Sequence, residues 1–136
     1  DYKYEFDKSL YKKLINKCDV IVFVNKPSKI NVQNYKQYGW IKKGKLNSIK
    51  KIECKKKVSN KLMKDLVIVG SFAFKNKEIF TNSFKEMIKK KQRINNEYYM
   101  DILVKYSKKL KYDVKYLQVK NFKSFGTPQD IKKYMK

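Results

Sequence analysis

Residues 19–24 read DVIVFV, an aspartate followed by five apolar residues, four of them β-branched. A run this continuous predicts a strand buried on both faces, because a half-exposed strand would alternate apolar with polar residues. The segment before it, FDKSLYKKLINK at 6–17, places Leu10, Leu14 and Ile15 at helical spacing behind Asp7, a residue suited to capping a first turn. A helix over about residues 8 to 17 feeding a fully buried strand points to an α/β sheet.

The polar stretch at 25–37, NKPSKINVQNYKQ, reads as a loop. Residues 38–53, YGWIKKGKLNSIKKIE, read as two strands joined by a turn at Gly44. A charged loop at 54–64 leads to DLVIVGSFAF at 65–74, the second strongly buried strand, whose Gly70 marks a bulge or a close approach by a ligand. Two helices follow. FTNSFKEMIKKK at 80–91 puts Phe80, Phe84, Met87 and Ile88 on one stripe, and 96–110 repeats the pattern with Tyr98, Ile102, Tyr106 and Leu110. Residues 112–122, YDVKYLQVKNF, alternate as one half-buried strand, and TPQDIKKYM at 127–135 makes a closing helix. The order is αβ, a β-hairpin, then βααβα, a layered α/β domain. At 136 residues the chain is expected to form a single domain, residues 1–136.

The formal net charge is +23, which concentrates polyanions around a protein. Yet among 35 basic residues only Arg93 is arginine, and readers of phosphates and base edges favour the arginine fork. Free use of Lys, Asn, Ile and Tyr is the composition of an AT-rich genome. The chain holds no histidine, and Cys18 and Cys54 stand far apart, so zinc sites and histidine-based catalysis are disfavoured. Both cysteines read as small buried hydrophobes in a reducing cytoplasm. No apolar run approaches the roughly 20 residues that span a bilayer.

Near the end, GTPQD at 126–130 has the parts of a helix start. Thr127 is suited to the N-cap, Pro128 to the first helical position, and Asp130 to the acid of a capping box. Gly126 would let the backbone come close to a bound group, and exposed amides at a helix start favour an anion. Cap and phosphate rim are compatible readings.

Several stretches taken in order resemble the C-terminal part of the sugar-1-phosphate nucleotidyltransferases: 1–7 (DYKYEFD), 19–24, 38–59 (YGWIKKGKLNSIKKIECKKKVS), 68–74 (IVGSFAF), 93–102 (RINNEYYMDI) and 124–134 (SFGTPQDIKKY). They run nearly the whole length of the chain, and the match is nearest to members that make capsule or cell-envelope sugars. The resemblance implies a Rossmann-like (GT-A-like) fold, a mixed sheet flanked by helices. It implies an enzyme joining a nucleoside triphosphate to a sugar 1-phosphate, with release of pyrophosphate and dependence on Mg2+. Asp1 falls at the family's magnesium-holding aspartate, as catalytic and metal residue. Tyr38 and Gly39 match the pair that approaches the sugar hydroxyls. Glu53 with Lys55 or Lys56 matches a glutamate-lysine pair for sugar and phosphate. Gly70 matches the glycine heading the next strand, Asn95 and Glu97 the polar start of the helix facing the sugar, and Gly126 and Thr127 the closing motif.

Two departures accompany the likeness. Ser124 stands where many relatives carry a second metal-binding aspartate, and the family's N-terminal glycine-rich triphosphate loop has no counterpart in these 136 residues. The chain is therefore expected to carry the sugar-phosphate side of such a domain, without its nucleotide-binding part, and to be inactive alone. Two other readings stay beside this one: a basic module binding single-stranded nucleic acid through lysines and its 11 tyrosines, and a non-catalytic scaffold of the same fold. A homo-oligomer is left open.

Overall fold

In the computed structural model of the chain, which describes residues 2–126, 128–132 and 134–135, β2 (Val20–Asn25) lies inside a five-stranded sheet. Val20, Ile21, Val22 and Val24 are fully buried and Phe23 nearly so. Alternate side chains enter different layers. Val20, Val22 and Val24 join Ile41, Ile68, Ile79 and Val104 on one face; Ile21 and Phe23 join Val69, Leu117 and Val119 on the other.

The strand order is β4-β3-β5-β2-β6, with β3 at Gly39–Lys43, β4 at Ile49–Cys54, β5 at Leu66–Phe74 and β6 at Val114–Gln118. The sheet is mixed: β2 and β6 are parallel, and the other pairings are antiparallel. Helix α1 (Lys8–Lys17) covers the second face with Leu10, Leu14 and Ile15, and Asp7 caps it by accepting from the Leu10 amide at 2.9 Å. Helices α3 (Lys77–Lys89) and α4 (Met100–Lys109) cover the first face. They meet through Ser83 and Ser107, whose buried hydroxyl oxygens are 2.7 Å apart. Two small side chains let the helices approach; one hydroxyl donates its single proton to the other, and that one donates to a carbonyl a turn back, Ile79 O for Ser83 or Leu103 O for Ser107, so neither is left unsatisfied.

The sheet curls, and the β3–β4 hairpin closes it. The tip at Asn47 and Ser48 reaches β6, where the Tyr116 amide donates to Asn47 O at 2.8 Å and Asn47 Nδ2 donates to Tyr116 O at 3.2 Å. Leu46 and Asn47 hold positive φ, 51° and 59°, which turns the tip over the sheet. A separate two-stranded ribbon, β1 (Tyr2–Glu5) with β7 (Lys120–Ser124), packs Tyr4 and Phe122 on the α1 side. The last helix, α5, spans Pro128–Lys132.

Four expectations need correction. The 25–37 loop contains a short helix, α2 (Lys29–Gln33), started by a capping box in which Ser28 and Asn31 exchange bonds. Residues 112–122 are two strands in different sheets, because the chain passes from β6 to the ribbon at Val119. In α3 the residues facing the core are Ile79, Ser83 and Met87, while Phe80, Phe84 and Ile88 lie on the shoulder at 37%, 43% and 37% exposure. Ser83 reads as a surface residue in sequence; its bonds to Ile79 O and Ser107 let it occupy the core stripe. The ribbon strand β1 was also not anticipated. Both cysteines are buried and free, and among the described residues no helix is long and apolar enough to cross a membrane.

Asn47→Ala should lower the unfolding free energy by about 1–2 kcal/mol, through the lost side-chain bond to Tyr116 O and strain at positive φ. Asn47→Gly, free of the strain, should lose less, and urea unfolding of the two variants separates the contributions.

Candidate functional site

The start of β3, the end of β4 and the start of α4 converge at one end of the sheet, and Gly39 pairs with Cys54 there. Gly39 is buried. A β-carbon on it would overlap Asp101 Oδ2, come to 2.6 Å from Asp101 Cγ and touch Ile68 Cδ1 at 3.0 Å. The first turn of α4 thus leaves no room for a side chain at position 39, and the glycine backbone lies next to the same site. Asp101 also lies beside the Cys54 thiol. Burial pushes the Asp101 carboxyl up from 3.8 to about 6, against the opposing pull of Cys54 and Lys55. Burial, then Asp101, push the Cys54 thiol to about 12, which makes it inert as a nucleophile.

Beside this pair, Lys55 departs from the strand with φ 55°. Its amide donates to Tyr38 O at 3.0 Å, and its Nζ donates to Tyr99 Oη at 2.9 Å. Tyr99 Oη in turn donates to Glu97 Oε2. The Tyr99 hydrogen bond raises the Lys55 ammonium above its ordinary value, partly countered by burial. Tyr38, Gly39, Lys55 and Glu97 are therefore one connected group.

Glu53 and Lys56 belong to a neighbouring cleft of about 130 Å³, with Cys54, Arg93, Ile102 and Lys105 among its walls. Glu53 is held by Lys105 at 3.0 Å and Lys51 at 3.4 Å. Burial raises its carboxyl, and the hydrogen bonds and charges of Lys105 and Lys51 more than offset that, leaving it below the usual carboxylate range. Arg93 lies 4.8 Å over the Tyr98 ring and donates to Asn96 at 3.2 Å. Among the described residues neither Lys56 nor Arg93 is paired with a carboxylate. The cleft therefore keeps an excess of positive charge. The backbone turn at Lys55 separates the two lysines: Lys56 shares the cleft with Glu53, and Lys55 turns to Tyr99.

Asn95 and Glu97 do not start the helix. Residues 94–97 form a tight turn, with Ile94 and Glu97 exchanging two backbone bonds of 3.0 Å and Asn95 and Asn96 at φ 50° and 63°, the signature of a type I′ turn. The helix begins at Met100, and its first-turn acid is Asp101. Asn95 is exposed on the turn, and no described bond of its side chain ties it to the Lys55 group.

Gly70, at φ 90°, sits where β5 gains residues opposite Val22–Val24, so the bulge reading holds. The group that comes near is Tyr2, whose hydroxyl would stand 2.7 Å from an added β-carbon. Since Tyr2 pairs with Ser124, this contact ties the ribbon to β5. The Gly126 amide donates to Ser124 Oγ at 3.4 Å. Asp1 and Thr127 lie outside the described residues, as does the side chain of Asp130. Among the described residues no group of three carboxylates or thiols is arranged to hold a metal ion. Of the carboxylates of this end, Glu97 accepts from Tyr99 and Asp101 lies beside Cys54.

No protein-family model matches the chain, and no curated protein matches it by sequence. A solved structure does match in fold: the nucleoside-diphosphate-sugar pyrophosphorylase from Vibrio cholerae RC9, with a TM-score of 0.71 at 14% identity, over 89% of this chain and 48% of that one. The chain shares the mixed α/β fold of that protein and spans about half its length.

Sequence reasoning missed Asp101, Tyr99 and Arg93 as site groups. All three stand in the 93–102 stretch that carries the resemblance, but none was singled out there for a role. Gly39→Ala should cost about 1–3 kcal/mol by overpacking, and at least about 1 kcal/mol less in an Asp101→Ala background, a coupling that a double-mutant cycle in urea would read. Because the folded chain holds the Asp101 proton more tightly than the unfolded chain, this group's contribution to stability is greatest below about pH 4 and is lost as pH rises through 6. Asp101→Asn should therefore gain on the parent chain by on the order of 2 kcal/mol between pH 4 and pH 7.

Proposed function

We propose that this chain is the sugar-phosphate side of a nucleotidyltransferase that joins a nucleoside triphosphate to a sugar 1-phosphate, giving a nucleotide sugar and pyrophosphate. The observation that carries the reading is the shared fold across 89% of the chain with a nucleoside-diphosphate-sugar pyrophosphorylase. The site geometry agrees with it. Glu53, Lys56, Arg93 and Lys105 line a cleft with surplus positive charge, suited to a phosphate, while Tyr38 and Gly39 stand next to it across Cys54.

In this reading the sugar ring lies against the Tyr38–Gly39 backbone, with Glu53 accepting a hydroxyl. Its phosphate is met by Lys56 and Arg93, the second offering the flat fork that suits phosphate oxygens. The attacking oxygen already carries negative charge, so no proton need be removed. The residues contribute positioning and charge neutralisation, which suits a site without histidine. Magnesium, which prefers hard oxygen ligands and bridges phosphates, would be held by Asp1 with the substrate phosphates. On this reading the nucleoside triphosphate would be bound outside these 136 residues, which by themselves would not turn over. A place in capsule or cell-envelope sugar supply, in the cytoplasm, completes the proposal.

Thermal melting with a panel of sugar 1-phosphates tests it. A ligand at a hundred times its Kd stabilises by about 2.7 kcal/mol, a shift of several degrees for a domain of this size. Lys56→Ala/Arg93→Ala should weaken that ligand tenfold or more, each charged hydrogen bond contributing about 1.5–3 kcal/mol. No stabilisation by any sugar 1-phosphate, or an equal shift in the double variant, would remove the cleft from the substrate path. Ligand binding without pyrophosphate release, in a sample supplemented with a nucleotide-binding half, would instead favour the non-catalytic scaffold.

A further inference from the structure

The end of the sheet opposite the candidate site carries a different surface. Strand β3 leaves the site at Gly39 and ends at Lys43, where β5 is about to begin. Two shallow depressions of about 370 and 320 Å³ adjoin there and share Lys64 and Asp65. Their rims present Lys26, Lys42, Lys43, Lys61 and Lys64, all exposed. The acid within the patch does not offset them: Asp65 is 5% exposed and accepts from the Ser59 hydroxyl. Met63 stands among these lysines at 56% exposure. The composition is local. Residues 20–64 hold thirteen lysines and one acid, Glu53, which lies at the other end of β4.

We infer that this end of the domain docks on an anionic bilayer surface, with the five lysines over acidic headgroups and Met63 entering the interface. Lysines are hydrated point charges on long stems, which suits diffuse headgroup charge; the patch offers neither the arginine forks nor the stacking rings that nucleic acid favours. An exposed apolar side chain inside a basic ring is what an interface with an apolar interior uses. Because the patch and the Gly39–Asp101 site stand at opposite ends of β3, docking leaves the site open to solvent. The inference does not depend on the activity of that site.

Sedimentation with vesicles of phosphatidylcholine containing about one-third phosphatidylglycerol tests it, against pure phosphatidylcholine and a single-stranded oligonucleotide. Each lysine near an acidic surface contributes roughly fivefold to partitioning, so Lys43→Gln/Lys64→Gln should lower it roughly 25-fold. Lys12→Gln/Lys13→Gln removes the same net charge from exposed positions on α1 and should lower it much less. Circular dichroism checks that both variants keep the fold. Equal losses in the two variants would mean that net charge alone attracts the chain, and would overturn the inference. So would failure to bind acidic vesicles, or tighter binding to the oligonucleotide at the same ionic strength.

Discussion

Burial of five consecutive side chains, Val20 to Val24, is the constraint on which the rest of the domain depends. A strand sends successive side chains to opposite faces, so this run stays out of water only if both faces of the sheet are covered. Helix α1 with the β1–β7 ribbon satisfies one face, and α3 and α4 with the curled hairpin satisfy the other. At about 25 cal/mol per Å² of apolar surface, leaving either face bare would cost more than a domain of this size has in reserve.

The site follows from that layering. Covering the first face brings the start of α4 against the start of β3, and the crowding at Gly39 and Asp101 is where the two elements touch. The same approach buries the Asp101 carboxyl beside a thiol and places Tyr99 where Lys55 can reach it. One backbone departure, positive φ at Lys55, then sends neighbouring lysines to separate surroundings, one to a tyrosine and one to a cleft shared with a glutamate and the lone arginine. The charge that dominates the composition is thus unevenly used. A few lysines are tied into the site, and a cluster without an accessible acid gathers at the far end of the sheet.

Legibility tracked how local the cause was. The β2 run, the α1 cap and the hairpin around Gly44 were readable because periodicity, a capping side chain and turn chemistry act within a few residues. The inward stripe of α3 was misread because Ser83 counts as polar until Ser107 arrives from another helix to satisfy it. The division of 112–122 into two strands was hidden, since alternation continues through Val119 while its partners change. In the site, Tyr38, Gly39, Lys55 and Glu97 came from resemblance and are brought together; Asp101 was missed because its role exists only opposite Gly39.

What the sequence by itself determined is the α/β layering, the doubly buried strand, the excess of lysine over acid and the lack of any imidazole for acid-base work. These depend on residue type and short-range spacing, which a linear chain displays directly. Only the tertiary structure decided which lysine faces a carboxylate and which a tyrosine, why position 39 admits no side chain, and where positive charge is left without an exposed acid. Those outcomes arise from contacts between elements distant in sequence, whose geometry is set by the joint packing of both faces of the sheet.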